Sequence, residues 1–396
     1  MTRSRFSFLF VTVAIMAVVM LAAAACFGGD GRGEDNPSIE GLPPEFQRLS
    51  EVWELLNREQ IDGEDLDPLV ISDGAIRGML TALNDPYAGF LDREQFSLES
   101  QDIQGFFGGI GAEVGIREGV ITILAPMPDT PAEAAGVRAG DVILEVDGQS
   151  IQGLSLLEVV RLIRGDKGTT VTLLLRHLTN SETVLIEIER DIIKLESVTL
   201  LMQVGRIGHI RLSGFTGTTN DELKKALERF ERSKGLGIVL DLRNNPGGLV
   251  SSVVDVTSQF IDDGLVLYQI DARGNRRNWG VKSGGKALDI PMVVLVNEFS
   301  ASASEVFTGA IIDSGRATVV GSTTFGKGSV TNLWPLDDGS GVNFTTARWF
   351  TPNGSLIEGE GLTPDVLLDP LGEDEDEDLY LDRAIEVLKE ELSLGG

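Results

Sequence analysis

The sequence from Val293 to Gly328 reads VVLVNEFSASASEVFTGAIIDSGRATVVGSTTFGKG, and it determines how the rest of the chain is interpreted. Its pattern predicts a buried strand, a turn of small residues, an apolar helix, a second short strand and a glycine loop. The turn carries three serines, Ser300, Ser302 and Ser304. Lys327 lies between two glycines, 25 positions after Ser302. The stretch is therefore a candidate for a serine-lysine pair.

Strands and helices alternate on both sides of this stretch. The predicted strands are 208–212, 237–242, 292–296 and 317–320, and the predicted helices are 220–234, 249–261 and 303–313. This alternation indicates an α/β layer with parallel strands. In such sheets, sites collect where strand ends meet helix starts. Hairpins are expected after Thr331, with turns at 338–339 and 353–354.

Ser302 is the serine best placed to act as a nucleophile. It would lie at the first turn of the helix that begins near Ala303, where free N–H groups favour negative charge. A serine hydroxyl also needs an adjacent base. The chain has two histidines, His177 and His209, and each falls in a strand away from the serine turn. A histidine triad is therefore not expected, and helix capping is the alternative role for all three serines.

Lys327 can supply the base if its environment favours the neutral amine, which desolvation does. The flanking glycines let neighbouring backbone approach closely. The alternative is that a lysine between glycines marks an exposed loop tip. A second glycine turn follows the strand 237–242, in the run DLRNNPGG, and its backbone N–H groups can be aimed at an oxyanion.

A separate module is predicted between residues 103 and 190. Its predicted strands are 120–124, 142–146, 170–175 and 183–188, with a helix over 156–163. The glycine loop FGGIGA at 107–112 and the run AAGVRAGDVILEVDGQSI at 134–151 resemble a PDZ domain of exported bacterial proteases. Glycine-freed N–H groups can form a nest for a peptide carboxylate, and the next strand offers an edge for peptide pairing. The alternative is that these glycines are ordinary turns.

The N-terminus predicts export. Arg3 and Arg5 precede an apolar run over 6–25 and the only cysteine of the chain, Cys26. The AAAC sequence resembles a lipoprotein processing box, whereas an uncleaved membrane helix is the alternative. Either places the remaining chain outside the cytoplasm. Without a second cysteine, no intrachain disulfide is expected.

The composition limits the classes of partner that the protein can bind. The chain has 396 residues, enough for more than one globular unit. Its 61 acidic and 33 basic residues give a net charge of −28, which makes nucleic acid an unlikely partner. Amphipathic helices are predicted over 46–57 and 68–83, and a final helix over 379–392 follows an acidic run at 372–378.

The motifs DLRNNPGG, SASASE and TFGKG, in this order behind a PDZ module, resemble those of the C-terminal processing peptidases, the tail-specific serine proteases. The similarity extends to AIRGMLTALNDPY at 75–87 and TARWFTPNGSLIEGEGLTPD at 346–365, and covers about residues 49–369. It implies a multidomain α/β (α+β) fold, with a ClpP/crotonase-like protease core, an inserted PDZ domain and N-terminal helices.

The resemblance also implies a division of the chain and its chemistry. The expected parts are an export or lipoprotein segment (1–26), a tether (27–42), an N-terminal helical part of the protease (43–102), a PDZ domain (103–190), a serine protease core (191–370), and an acidic linker with a C-terminal helix (371–396). The substrates would be proteins with exposed C-terminal tails, without a cofactor or metal. A dimer is one of the oligomeric states left open.

The family's residue roles transfer by motif position. Ser302 would be the nucleophile and Lys327 the general base; Ala303 and Gly248, or Gly247, would supply the oxyanion N–H groups; and Gly109, Ile110 and Gly111 would receive the substrate carboxylate. Two positions depart from the family pattern. Thr331 replaces a glutamine that orients the lysine, and Phe299 replaces a glycine before the serine turn.

Two other functions fit parts of the sequence. A catalytically weak or inactive PDZ adaptor would account for Thr331. An acyl-CoA enzyme on a related fold would account for the glycine turn, but for neither the PDZ module nor the export segment.

Overall fold

The computed structural model describes residues 42–61, 66–117, 119–177, 183–368 and 378–394. The chain divides into two units, residues 1–72 and residues 73–396. The predicted export segment with Cys26, nearly all of the tether and most of the acidic run lie outside the described residues. No described helix is long and apolar enough to cross a membrane.

The first unit contains helices, as its apolar spacing predicts. Residues Pro44–Phe46 form a short 3-10 helix that leads into α1 (Gln47–Glu59). Helix α2 (Pro68–Thr81) begins in this unit and continues into the second. It ends before the Asn84-Asp85-Pro86-Tyr87 turn, where proline disfavours further helix.

In the second unit, short elements lead into the PDZ region. The first are β1 (Gly89–Leu91), α3 (Arg93–Gln104), β2 (Phe106–Gly109), β3 (Ala112–Arg117) and β4 (Val120–Pro126). The next are α4 (Pro131–Ala134), β5 (Val142–Val146), β6 (Gln149–Ser150), α5 (Leu156–Ile163), β7 (Thr170–Arg176), β8 (Thr183–Glu189) and β9 (Asp191–Lys194). Strands β3, β4, β5, β7 and β8 form one antiparallel sheet, and β2 pairs with β9 where the chain enters and leaves the region.

The central sheet of the unit carries the serine turn. Its elements, with the intervening helices, are β10 (Val198–Gln203), β11 (Ile207–Leu212), α6 (Thr219–Arg232), β12 (Gly237–Asp241), α7 (Val250–Thr257), β13 (Leu265–Asp271), β14 (Arg276–Gly280), β15 (Met292–Val296), α8 (Ala303–Ser314) and β16 (Thr318–Gly321). The sheet order is β10-β11-β12-β15-β16, followed by an edge strand, β19 (Val366–Leu367). All neighbours are parallel except β10 and β11.

Both faces of this sheet are covered, so its central strands are continuous apolar runs. Ile238, Leu240 and Val294 pack with α6, α7 and α8 on one face. Val239 and Val293 pack on the other face against a final helix, which runs Leu379–Leu394 and is α9 here. The predicted α/β layer is therefore confirmed.

A second antiparallel sheet contains elements that the sequence pattern did not reveal. It has the order β1-β18-β13-β14, with β17 (Ser329–Pro335) also paired to β18 (Gly341–Phe350). The β17-β18 hairpin turns at the predicted residues 338–339. The β13-β14 hairpin and α3 were not predicted, because their apolar residues do not follow a clear period.

Candidate active site

The serine turn connects the end of β15 to the start of α8. Ser302 has φ of 56° and ψ of −113°, a conformation that L-residues adopt rarely. Such strain persists only where surrounding contacts enforce it, and it is common at functional sites. Ser302 is partly exposed, whereas Ser300 and Ser304 are fully buried.

Ser300 and Ser304 have structural hydrogen bonds. The Ser300 hydroxyl donates to the Leu242 carbonyl at 2.8 Å, and the Ser304 hydroxyl donates to the Asn245 carbonyl at 2.9 Å. Both bonds attach the serine turn to the segment after β12. Of the three serines, Ser302 is thus the one left accessible to a substrate.

The buried carboxylate of Glu305 connects the serine turn to the lysine loop. Its Oε2 accepts the backbone N–H groups of Ser302 at 2.9 Å and Lys327 at 2.8 Å. Its Oε1 accepts the Gly326 N–H at 2.6 Å and the Thr324 hydroxyl at 2.7 Å. Because two backbone segments converge on one side chain, Ser302 and Lys327 are brought together. This role of Glu305 was not predicted from the sequence, although a glutamate three residues into a helix is a recognisable capping position.

The glycines beside Lys327 are required by close packing. A Cβ at Gly328 would lie 2.3 Å from the Glu358 nitrogen, and one at Gly326, where φ is 89°, would lie 3.1 Å from the Gly361 nitrogen. The Gly359 N–H donates to the Gly326 carbonyl at 2.8 Å. The lysine loop is therefore pressed against residues 358–361 and is not a free loop tip.

The Lys327 ammonium lies over the ring of Tyr87, with Nζ 4.6 Å from the ring centroid. Within the described ranges, no hydrogen bond joins Nζ to the Ser302 hydroxyl. Thr331 lies in β17 and pairs with Thr345. No hydrogen bond between Thr331 and the lysine occurs among the residues described. Phe299 is 58% exposed at the start of the serine turn.

The turn after β12 lies against the nucleophile. A Cβ at Gly247 would lie 2.8 Å from both the Ser302 Cβ and the Ala303 nitrogen. The Gly247 N–H already donates to the buried Asn245 Oδ1 at 2.9 Å, which argues against Gly247 as an oxyanion donor. Gly248 is exposed, and in the described part of the chain neither its N–H nor that of Ala303 donates to another protein group. Ala303 and Gly248 are thus the available pair.

Asn245 and Asp241 stabilise the glycine turn through hydrogen bonds. The Asn245 Nδ2 donates to the Leu212 carbonyl at 2.9 Å, and the backbone carbonyl of Asn245 accepts the Ala301 N–H at 3.0 Å. Burial of Asp241 opposes its ionisation, but hydrogen bonds from His209 and Arg243 outweigh burial and lower the pKa of Asp241 to about 2. Arg243 also binds Asp378 at 2.7 Å.

Both histidines are engaged away from the serine. His209 contacts Asp241 at 3.0 Å, and His177 contacts Asp141 at 2.7 Å inside the PDZ region. Among the described residues, no group of three His, Cys, Asp or Glu side chains is placed to hold a metal ion.

A groove in the PDZ region includes part of the predicted carboxylate loop. Ile110 and Gly111 line a cavity of about 210 Å³, together with Phe107, Val160 and Arg164. The Arg164 guanidinium lies 4.2 Å from the centroid of the Phe107 ring. Gly109 is the last residue of β2 and does not line the cavity.

A second cavity connects the PDZ helix with the glycine turn. It has a volume of about 490 Å³ and is mainly apolar, with Leu91, Leu98 and Phe215 in its walls. Gly247 and Gly248 line one end, and Arg161 of α5 lines another part. This cavity is open to solvent and lies between α5 of the PDZ region and the glycine turn.

Three family models match the chain. Peptidase family S41 matches residues 206–368, a PDZ domain matches residues 122–177, and the N-terminal domain of the activating protease CtpB matches residues 29–95. The PDZ match falls inside the region predicted from the glycine loop.

Similar proteins are found over most of the chain. The carboxy-terminal processing protease CtpA of Bacillus subtilis strain 168 is 36% identical over 358 residues, which is 90% of this chain and 76% of that protein. A probable CtpA-like serine protease of Staphylococcus aureus strain COL is 38% identical over 371 residues, covering 92% and 72%. A solved putative S41 protease from Bacteroides fragilis NCTC 9343 shares the fold, with a TM-score of 0.51, 14% identity, and 91% and 99% of the two chains covered.

Proposed function

The chain belongs to peptidase family S41 and is a serine-type, C-terminal processing peptidase with a PDZ domain, and from this premise we propose how it acts. The enzyme captures the C-terminal tail of a protein in the PDZ groove and cleaves that protein with Ser302 and Lys327. Ser302 forms the acyl-enzyme, and Lys327 is the general base.

The groove chemistry supports tail recognition. Glycine at 111, with φ of 75°, keeps the loop backbone open beside the cavity that Ile110 also lines. Arg164 adds a positive charge to the same wall, suited to a terminal carboxylate. The apolar lining from Val160 favours an apolar last residue. Strand β3 supplies the edge for strand addition.

The proposed reaction begins with attack by Ser302. The Ser302 Oγ bonds to the peptide carbonyl carbon while its proton passes to the Lys327 amine, and the carbonyl oxygen takes the displaced electron pair. The Ala303 and Gly248 N–H groups stabilise that oxyanion. Lys327 then protonates the leaving amine, and water activated by the same lysine releases the acid.

One observation carries the assignment: the Ser302 and Lys327 backbones both donate to Glu305, while Gly247 packs on Ser302. These contacts support the assignment, because they bring the segments that carry Ser302, Lys327 and Gly247 together while the two other serines are buried. The adaptor function has no comparable observation in its favour.

Replacing the nucleophile tests the proposal. Ser302→Ala should abolish cleavage of casein and of an internally quenched peptide with an apolar C-terminal residue, while the circular dichroism spectrum is unchanged. Lys327→Ala should do the same. Ser283→Ala, at an exposed serine outside the site, is the matched control. Cleavage retained by Ser302→Ala, or labelling of that variant by a serine-reactive phosphonate, would rule out the assignment.

We also propose that the PDZ domain gates the site. Helix α5 carries groove residues such as Val160 and contributes Arg161 to the cavity beside Gly248, so an occupied groove can influence the site through one helix. Deletion of residues 103–190 should speed cleavage of the quenched peptide. A loss of cleavage, with the fold retained, would instead indicate that the domain delivers substrate.

Export and lipid attachment at Cys26 complete the proposed function. They are supported by the basic start, the apolar run and the single cysteine of the sequence. Cys26→Ser should prevent incorporation of radiolabelled palmitate and release the protein from the membrane fraction. An unlabelled wild-type protein that remains in the membrane would indicate an uncleaved N-terminal anchor.

A further inference from the structure

The contact between Lys327 and Tyr87 pairs a cation with an aromatic face. At 4.6 Å from the ring centroid, Nζ is within the range of a cation–π interaction. Tyr87 belongs to the turn after α2, far from Lys327 in sequence but in the same unit of the structure. The Tyr87 ring is therefore placed to orient Lys327, as the third residue of a catalytic triad orients its base.

The Tyr87 turn is firmly held, so the ring can serve as a fixed support. Asp85 accepts the Tyr87 N–H at 3.0 Å and also the Thr345 N–H at 2.7 Å. The Tyr87 carbonyl accepts from the Asn343 side chain at 2.7 Å. Thr345 and Asn343 belong to β18, which attaches the turn to the second sheet.

The charges around the ring keep the phenol neutral. Burial raises the pKa of Tyr87, and the carboxylates of Glu358 and Glu305 raise it further, whereas Ser329 and Arg348 act in the opposite direction. Arg348 and Glu358 form an ion pair at 3.2 Å. Burial opposes the ionisation of Asp85, but hydrogen bonds from Thr345 and the Tyr87 N–H, together with the charge of Arg348, lower its pKa, so this carboxylate stays ionised. A neutral phenol offers Lys327 a π face and no competing base.

We propose that Tyr87 is the positioning residue of the general base: its ring holds the Lys327 side chain and stabilises the ammonium that forms when the lysine takes the Ser302 proton. The proposal rests on the proposed function of Lys327. In the step concerned, the Ser302 O–H bond breaks, an N–H bond forms on Nζ, and the serine oxygen bonds to the carbonyl carbon. The ring faces the positive charge that this transfer creates.

Thr331 makes such a support necessary. In the part of the chain that the structure describes, the threonine has no hydrogen bond to the lysine, whose long side chain would otherwise be free to rotate. The ring contact supplies orientation without a hydrogen bond.

Three substitutions at Tyr87 separate the contribution of the π face from that of the hydroxyl. Tyr87→Leu should lower kcat about tenfold at the high-pH plateau, with KM within about twofold. Its acid limb of kcat/KM should move to lower pH by about one unit, because the amine loses its cation-stabilising partner. Tyr87→Phe should keep kcat within about threefold, with the limb in place. Tyr87→Trp should move the limb to higher pH, because indole is the strongest cation–π partner.

The measurements use the full-length chain in mild detergent and the quenched peptide, with Tyr268→Leu as the control. Tyr268 also carries a cation on its face, Arg276 at 3.6 Å, outside the site. Equal behaviour of the Leu and Phe variants, or a lower kcat without a shift of the limb, would overturn the role of Tyr87. If Tyr87→Leu does not fold, the direction of the Trp shift decides. Activity in Ser302→Ala would overturn the proposed function itself.

Discussion

Ser302 and Lys327 share the same backbone anchor, but their reactive atoms are positioned by different means. The serine hydroxyl is one bond from Cβ, so its location follows closely from the enforced backbone at φ of 56°. The lysine nitrogen lies at the end of a flexible four-carbon stem, so fixing its backbone leaves Nζ free to move. Buried hydrogen bonds thus fix the position of the serine oxygen, whereas a side-chain contact must fix the position of the lysine nitrogen. Substitutions can be chosen to disturb the positioning of Ser302 (the serine or nucleophile side), the positioning of Lys327 (the lysine or base side), or both.

Glu305→Gln should have the largest effect, because it disturbs both sides. The amide would present a donor where one carboxylate oxygen now accepts two donors, so either the Ser302 and Lys327 N–H groups or the Thr324 and Gly326 donors lose their acceptor. Each unsatisfied buried group costs about 1–3 kcal/mol. We expect a loss of about 3 kcal/mol in unfolding free energy by urea titration, and at least about a 100-fold loss of kcat/KM.

The control for Glu305 is Glu360→Gln, at an exposed glutamate on the loop that packs against the lysine segment. It should change neither quantity measurably. If Glu305→Gln keeps near wild-type activity, Glu305 does not align the two segments.

Asn245→Ala should disturb the nucleophile side alone. It removes the acceptor of the Gly247 N–H and the donor to the Leu212 carbonyl, both of them buried. We expect a loss of about 2 kcal/mol in stability and about 30-fold in kcat. The acid limb of the pH profile should stay in place, since Tyr87 and Lys327 are untouched.

Asn353→Ala is the matched control for Asn245. Asn353 is exposed, in the turn that follows β18 and away from the serine turn. A shift of the pH limb in Asn245→Ala would show that the two sides are not separable.

The pH dependence of stability tests the support under the glycine turn. Asp241 has a folded pKa of about 2, below its ordinary 3.8, because hydrogen bonds from His209 and Arg243 outweigh burial. A lowered carboxylate pKa contributes stability that is present above about pH 4 and lost as the pH falls toward 2. We expect about 2 kcal/mol from this group, measured by urea titration across that range. Asp241→Asn should flatten this dependence; an unchanged slope would contradict the role.

Much of the serine side was predictable from sequence. The apolar runs of β12 and β15, each followed by small residues, predicted strand-to-turn-to-helix segments, and the structure places the Gly247 turn against Ser302. The helix start singled out Ser302, but the burial of Ser300 and Ser304 was not predictable, because it depends on packing against the neighbouring segment. The sequence left Gly247 as an acceptable oxyanion donor, because the hydrogen bond from its N–H to Asn245 depends on how the turn folds.

The lysine side was less predictable. Tyr87 lies in a motif that signalled only the end of a helix, and its approach to Lys327 depends on β1 and on pairing with β18. This antiparallel pairing joins two strands that lie far apart in the sequence, and no local period encodes it. Glu305 carried a capping signal, but its two bonds to the lysine loop require the tertiary fold.

Thr331→Gln should have the smallest effect, and it tests whether the base side has room for improvement. A glutamine at this position can offer Lys327 a hydrogen bond that the threonine does not make in the structure. A neutral hydrogen bond contributes about 1 kcal/mol, so kcat should rise by about two- to fivefold at most. Asn332→Gln, on the opposite face of β17, is the control and should leave kcat unchanged.

The double variant Thr331→Gln with Tyr87→Leu tests whether residue 331 and Tyr87 perform the same orienting task. If the ring now performs the orienting task, glutamine should restore more activity in the Tyr87→Leu background than it adds to the wild type, because the two supports substitute for each other. The gain is measured as the ratio of kcat values with and without the glutamine in each background. Equal gains would indicate that Tyr87 and residue 331 act independently on the lysine.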